Sequence, residues 1–400
     1  MANHDSHAEI KNPGSFDAPA SIKGALVVMA VLGLAAFAGG LATDAKRAWA
    51  SFLMNHFYFF SLALGGMFFA AIQWLTGAMW SAPLRRVSEA FTSYLPFVVV
   101  TFIVLCFGLK LMYIWTDPAV VASDAMIRLK SSYLNTGFFV VRNLVALALL
   151  IFFTWKMVGN SIAQDATKDV RFTLSNRRLA PAFIAFFALL YSMASVDQIM
   201  SLEPMWYSTM FGVYCFAGLF YQVLAATCLL TIYLHSTGKL KGLVNDNHLH
   251  DLGKFMLAFT VFYAYIGFSQ FMLYWYANIP EETAYYMHRM TSGWMPVSIF
   301  LLAGKFGVPF FALLPRDAKR NVKTLTWVGI FMLIANWIDV MWMVQPSFFP
   351  DGPRFSWIEL GTSVGFLGIF GLFVVRFLAR HNVVAIGDPR LAESVLHHHQ

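Results

Sequence analysis

Residues 52–80 read FLMNHFYFFSLALGGMFFAAIQWLTGAMW, with no Asp, Glu, Lys or Arg among them. A helix on the surface of a soluble domain alternates an apolar stripe with a polar one; a helix apolar all round is enclosed by protein or lipid. A bilayer core of about 30 Å asks a helix for about 20 such residues. The stretch therefore reads as a membrane span. A sheet is excluded, because its open edge would leave backbone groups without partners in hydrocarbon.

Working outward, the same pattern recurs. Ten spans are predicted, at about 23–42, 52–80, 86–115, 134–158, 178–198, 206–235, 252–277, 293–314, 322–345 and 357–379. Composition agrees: hydrophobic residues make up 58% of the 400 and charged residues 12%, where a soluble domain carries about 25% charge. A soluble enzyme, a disordered linker and a disulfide scaffold are excluded. The expected fold class is all-α, a polytopic integral membrane protein. Residues 1–21 form a polar segment without the apolar core of a cleavable signal peptide, 22–379 form the transmembrane domain, and 380–400 form a polar tail.

The net charge of +7 calls for no nucleic-acid partner, because loop asymmetry accounts for it. Nineteen Lys and Arg fall on the side of the two termini, among them Arg85, Arg86, Arg177, Arg178, Arg316, Arg320 and Arg390. Six fall on the other: Lys46, Arg47, Arg128, Lys130, Arg289 and Arg354. The positive-inside rule then places both termini in the cytoplasm.

Ionisable groups inside a span are costly and mark function by default. With the orientation fixed, His56 is expected in the first turn of the second span, Lys110 at the end of the third, Arg142 and Asn143 in the outer half of the fourth, and Asp197, Gln198 and Glu203 at the outer end of the fifth. Gln270 is expected in the outer third of the seventh span, Asn336 and Asp339 in the outer half of the ninth, and Glu359 at the start of the tenth. Lys305 lies near mid-depth in the eighth. Lys110, Arg142 and Lys305 can offset Asp197, Asp339 and Glu359 or Glu203. Most of these side chains share the outer leaflet, and the inner leaflet is expected to be nearly bare of charge. Gln73, Thr76, Glu89, Thr92, Tyr94, Gln222, Thr227, Thr231, Tyr233, Thr260, Tyr263 and Tyr265 fall in the inner half, where they can hold a file of water or bond neighbouring helices. Two readings of the outer cluster stay open: an ion-pair network that fixes packing, or a polar pocket that releases protons.

Cys106, Cys215 and Cys228 lie in apolar runs with no CxxC spacing, so no zinc, iron–sulfur or c-haem ligand set is expected. Only His56 and His235 approach the spans, near opposite faces, which argues against haem b. His397-His-His399 reads as a polar tail rather than a metal site. No phosphate-binding glycine loop is present. The glycines Gly33, Gly39, Gly40, Gly361, Gly365, Gly368 and Gly371 suit close helix packing.

Four stretches together carry a resemblance: HFYFFSLALGGMFFAAIQWLTGAMWSAPLRRVSEAFTSYLP (56–96), SVDQIMSLEPMWYSTMFGVY (195–214), HDLGKFMLAFTVFYAYIGFSQFMLYWYANIPEE (250–282) and GVPFFALLPRDAKRN (307–321). The pattern, over about residues 22–390, resembles the NrfD-like membrane subunits of bacterial alternative complex III, a quinol:cytochrome c oxidoreductase, and within them the quinone-binding subunit 2 (ActF) branch. The resemblance implies two four-helix bundles plus two flanking helices in a bacterial cytoplasmic membrane. It implies no bound cofactor beyond a quinone, menaquinone or ubiquinone, with no haem and no iron–sulfur cluster in this chain. The partners it implies are membrane lipid, the paralogous NrfD-like subunit ActC, and iron–sulfur and c-type cytochrome subunits on the outer face. On that expectation His56 and Asp197 serve as base and relay in quinol oxidation, and Lys110, Arg142 and Gln270 as donors or ion-pair partners. Lys305 and Asp339 lie deeper on a proton path whose inner mouth is Glu89. The rival readings are a scaffold without its own ligand and a transporter, which would favour broken helices at mid-membrane.

Overall fold

The computed structural model describes residues 12–396. Ten helices in it are long and apolar enough to cross a membrane: α1 Ala20–Thr43, α2 Ala45–Thr76, α3 Ala82–Cys106, α4 Thr136–Thr167, α5 Val170–Leu202, α6 Phe211–Ser236, α7 Asp246–Ala277, α8 Met295–Leu313, α9 Val322–Ser347 and α10 Trp357–Arg380. Among the described residues there is no strand. The chain is an all-α, multi-pass membrane protein. His397–His399 lie outside the described residues.

Local chemistry sets many of the helix starts. The side chains of Asp44, Asn135, Asp169, Asn245, Asn321 and Ser356 each accept a hydrogen bond from a first-turn amide of the helix that follows, satisfying donors that have no partner within the helix. Asn245 with His248, and Ser356 with Glu359, close reciprocal capping boxes.

Ten crossings return the chain to the face it started from, here the terminal face. The Phe16 amide donates to the Leu378 carbonyl at 2.8 Å, and the Val383 amide to that of Gly14 at 3.1 Å. Helices α2–α5 pack as one four-helix bundle and α6–α9 as a second, joined through α2, α5, α6 and α9. Helices α1 and α10 pack on each other and flank the pair along α2. Their contact is glycine-set: a Cβ on Gly33 would lie 2.0 Å from the Gly365 Cα, so the two backbones approach as only small residues allow.

Several boundaries differ from the expected spans, among them the end of α4 at Thr167 and the start of α5 at Val170, and two of the differences move a candidate residue. Helix α2 starts at Ala45, not near 52, because Asp44 caps it. His56 therefore lies about 16 Å along the helix at 1.5 Å per residue, not in its first turn. Helix α3 ends at Cys106, since Gly108 is pressed against the Trp49 ring, where a Cβ would lie 2.3 Å away. The chain breaks there and Lys110 turns outward.

Candidate functional site

All four helices of the first bundle contribute to one buried polar centre. Asp197, near the end of α5, receives Arg142 of α4 as a two-pronged pair, Nε to Oδ2 at 2.6 Å and Nη2 to Oδ1 at 2.8 Å. Asn143 donates to Oδ2 at 2.8 Å and the Tyr133 hydroxyl to Oδ1 at 2.9 Å. The Arg142 guanidinium also donates to the Tyr133 carbonyl at 2.6 Å and lies 3.8 Å from the Tyr133 ring centroid. Gln198 donates to Asn143 at 3.1 Å. Four donors on one carboxylate meet its acceptor capacity. This is a locked ion pair with its desolvation offset by hydrogen bonds.

His56 on α2 stands beside this network. Its Nδ1 lies 2.8 Å from the Thr101 hydroxyl of α3, which is also 3.0 Å from the Val98 carbonyl. The Gln198 side chain lies against the same imidazole, and since its amide nitrogen already donates to Asn143, the group it turns to His56 is the acceptor Oε1. We therefore assign the imidazole hydrogen to Nε2, facing Gln198, and Nδ1 accepts from the Thr101 hydroxyl.

The second bundle builds a different centre, again from all four helices. Lys305 sits in a π-helical turn, Leu301–Gly307, in the middle of α8. Such turns interrupt α-helices often at functional positions. The carbonyl of Lys305 is taken by the Tyr221 hydroxyl of α6 at 3.0 Å. Its ammonium donates to Asn336 at 2.7 Å and Asp339 at 2.8 Å, both on α9, and lies 3.5 Å from the Tyr263 ring centroid. Asn336 donates to Gln222 at 2.9 Å. The other oxygen of Asp339 faces two phenols, Tyr214 of α6 at 2.5 Å and Tyr263 of α7 at 3.0 Å, which lie 2.8 Å from each other. With Asp339 ionised, three short oxygen contacts share two hydrogens. One more proton completes the set.

This centre opens on a cavity of about 220 Å³ lined by Tyr214, Tyr263, Gln270, Tyr286, Ser298 and Trp342 with apolar neighbours. Gln270 is 3% exposed and its Oε1 has no hydrogen-bond partner. A mostly apolar cavity with a few placed polar atoms is the usual form of a small-molecule site.

Further charges pin the ends of the bundles. Near the terminal face, Arg86 pairs with Glu89 at 3.0 Å and with Asp165 at 3.0 Å, and Ser161 donates to Glu89 at 2.8 Å. Arg85 pairs with Asp388. At the opposite face, Arg47 pairs with Glu359 at 2.5 Å. There too Arg289 pairs with Glu203 at 2.9 Å and donates to the carbonyls of Trp342 and Met343. Burial pushes the Glu203 carboxyl up, but Arg289, aided by bonds from His288 and Ser347, outweighs it and holds the group at about 2.

The expected outer cluster thus resolves into two centres. His56, Arg142 and Asp197 gather in the first bundle. Gln270 joins Lys305 and Asp339 in the second, because depth along a helix fixes a level and not a neighbour. Lys110 is exposed and joins neither centre. Glu203 and Glu359 take Arg289 and Arg47 instead of Lys110 or Lys305, guanidiniums the sequence reading left in loops. The leaflet on the side of the termini, expected to be nearly bare, is not: Arg86, Glu89 and Asp165 form a buried network there. Glu89 is locked within it, in the other bundle from Lys305 and Asp339. Tyr263 and Gln222 belong to the Asp339 centre rather than to an inner file of water, whereas the buried hydroxyls of Thr227 and Thr231 have no partner. Tyr214 and Tyr221 carry no sequence signal beyond an aromatic in an apolar run.

Among the described residues no three His, Cys, Asp or Glu side chains converge as a metal site, and Cys106, Cys215 and Cys228 are free thiols. No protein-family model matches the chain, and no curated protein matches it either.

Proposed function

We propose that this chain is an integral membrane subunit of a quinol:electron-acceptor oxidoreductase complex of the alternative complex III type, seated in a bacterial cytoplasmic membrane. Its second bundle receives a quinol head group. Oxidation of a quinol breaks two O–H bonds and releases two electrons and two protons. The electrons leave through an iron–sulfur or c-type cytochrome partner. The protons pass one at a time through Tyr214 and Tyr263 to Asp339, and from there to water. Gln270 Oε1 accepts one quinol hydroxyl and orients the ring.

One observation supports this reading above the others: a cavity lined by the buried Gln270 amide, beside two phenols and a carboxylate that share two hydrogens among three short contacts. Lys305 suits the role, because an ammonium holds the carboxylate charged yet can itself yield a proton, as a guanidinium cannot. A scaffold reading is favoured for the first bundle, where Asp197 has four donors and no room for a proton.

The test is quinol:acceptor turnover by the purified complex carrying Asp339→Asn or the pair Tyr214→Phe and Tyr263→Phe. Positioned proton acceptors contribute about 10²–10⁴-fold, so turnover should fall at least a hundredfold while the subunits remain assembled. Wild-type turnover from an assembled Asp339→Asn complex would leave the scaffold reading in its place.

A further inference from the structure

The turn between α2 and α3, at the terminal face, has a feature that neither centre uses. Gly77 ends α2 in the left-handed region, with φ of 61°. A Cβ built on it would lie 2.8 Å from Arg177 Nη2 and 3.4 Å from Arg390 Nη1. Two guanidiniums, one from the first turns of α5 and one from the tail beyond α10, thus converge on a single turn.

Neither has an anion to account for its position. No ion pair or side-chain hydrogen bond holds Arg177 or Arg390 among the described residues. The carboxylate beside them, Asp388, is already engaged: one oxygen by the Arg85 guanidinium, the other by the Arg390 backbone amide at 2.8 Å. Arg85 is itself pressed towards the Trp74 ring, 5.0 Å from its centroid. The nearby carbonyls of Gln73 and Trp74 at the end of α2 are taken by the amides of Gly77 and Ala78. Like charges held together at a membrane boundary repel unless an anion joins them.

We propose that an anionic phosphate group binds between Arg177 and Arg390 over the Gly77 turn. Guanidinium forks match phosphate oxygens two at a time, and basic pockets between helices at a membrane surface take lipid phosphates. The missing Cβ at residue 77 leaves the two forks free to approach. The site's occupant is a phospholipid head group or a free phosphate, and the two are separable by experiment.

The experiment is thermal unfolding of the purified, delipidated full chain in its native assembly, in neutral detergent. Phosphatidylglycerol, phosphatidylcholine or inorganic phosphate is added. A ligand that binds only the folded state raises Tm with its concentration. Phosphatidylglycerol should raise Tm and phosphatidylcholine should not, and the rise should shrink as salt screens the contact. The paired substitutions Arg177→Gln and Arg390→Gln should abolish the rise, and Arg177→Lys with Arg390→Lys should keep part of it. An equal rise with inorganic phosphate alone identifies free phosphate as the ligand; no rise with it identifies the lipid head group. Equal shifts from both lipids and no shift from inorganic phosphate, or a full phosphatidylglycerol shift in the paired Gln variant, would overturn the site. Should the paired variant not accumulate, native mass spectrometry of Arg177→Gln gives the same decision: bound anionic lipid or phosphate per chain must fall below wild type.

Discussion

At the centre of each four-helix bundle one carboxylate is buried against one cation, and the two pairs are built to opposite ends. In the first, Asp197 meets a guanidinium, an amide and a phenol, all as donors. In the second, Asp339 meets an ammonium, and its other oxygen meets two phenols that also contact each other. The first carboxylate has its acceptor sites filled, and the second shares two phenol hydrogens among three contacts beside a cavity. The cation decides much of this. Arginine keeps its charge under all conditions, whereas a buried lysine can shed its proton. A bundle fastened by Arg142 is built to hold; one fastened by Lys305 can change protonation state without coming apart.

Removing the carboxylates tests that contrast at its largest. Asp197→Leu strands a guanidinium that cannot neutralise itself, and breaking a buried pair in this way costs about 3–5 kcal/mol. The subunit should unfold at markedly lower temperature, and Arg142→Met combined with Asp197→Leu should recover much of the loss. Asp339→Leu strands a lysine, which escapes by deprotonating, so its cost should be smaller, about 1–3 kcal/mol. Equal losses at the two positions, measured by thermal unfolding of matched preparations, would remove the distinction between the bundles.

A smaller effect separates cavity from core. Gln270→Leu leaves Asp339 and its tyrosines untouched and removes the buried cavity amide. A hydrogen bond nets about 0.5–1.5 kcal/mol, so KM for quinol should rise up to about tenfold with kcat little changed. Gln198→Leu in the first bundle should leave KM where it is. A KM shift from Gln198→Leu and none from Gln270→Leu would move the quinol to the side of His56.

The sequence makes the membrane fold legible because the cost of burying backbone in lipid forces long, uniformly apolar helices; hydropathy alone missed the starts that Asp44 and Asp169 cap, at Ala45 and Val170. It also names both members of each central ion pair, since Arg142, Asp197, Lys305 and Asp339 are charges within apolar runs. What it withholds is azimuth. Depth puts Gln270 level with His56, yet the two lie in different bundles, because a one-dimensional pattern does not say which faces meet. Arg289 and Arg47 read as loop charges, since nothing local shows that a loop folds back under Glu203 or α10. Tyr214 and Tyr263 look like any aromatic on a buried helix until Asp339 is seen beside their hydroxyls.

The smallest expected effect concerns the short helix that covers the cavity of the second bundle. The short helix Pro280–Met290 contributes Tyr285, Tyr286 and Met290 to the cavity wall, and Tyr285 stacks on Trp206 with ring centroids 3.7 Å apart. Glu203 ties this helix down through Arg289 and, at 3.7 Å, through His288. The Glu203 carboxylate, 3.7 Å away, raises the His288 pKa against the pull of its partial burial. A raised folded value means that the His288 contribution is complete below its ordinary pKa of about 6.5 and fades as pH climbs through the raised one. Glu203 runs the other way: held at about 2, it contributes fully above its ordinary value of about 4.3 and loses that only as pH falls towards 2. The helix should therefore be held most firmly between about pH 4.5 and 6.5, and loosen on the alkaline side through His288 alone. His288 is half exposed, so the change belongs with surface pairs at under about 1 kcal/mol. Hydrogen exchange across residues 280–290, corrected for the intrinsic pH dependence, should show less protection at pH 8.5 than at pH 6. In His288→Ala that difference should vanish. If the variant keeps the full alkaline loss, the latch is not His288, and the cover over the second bundle is as insensitive to pH as the locked pair in the first.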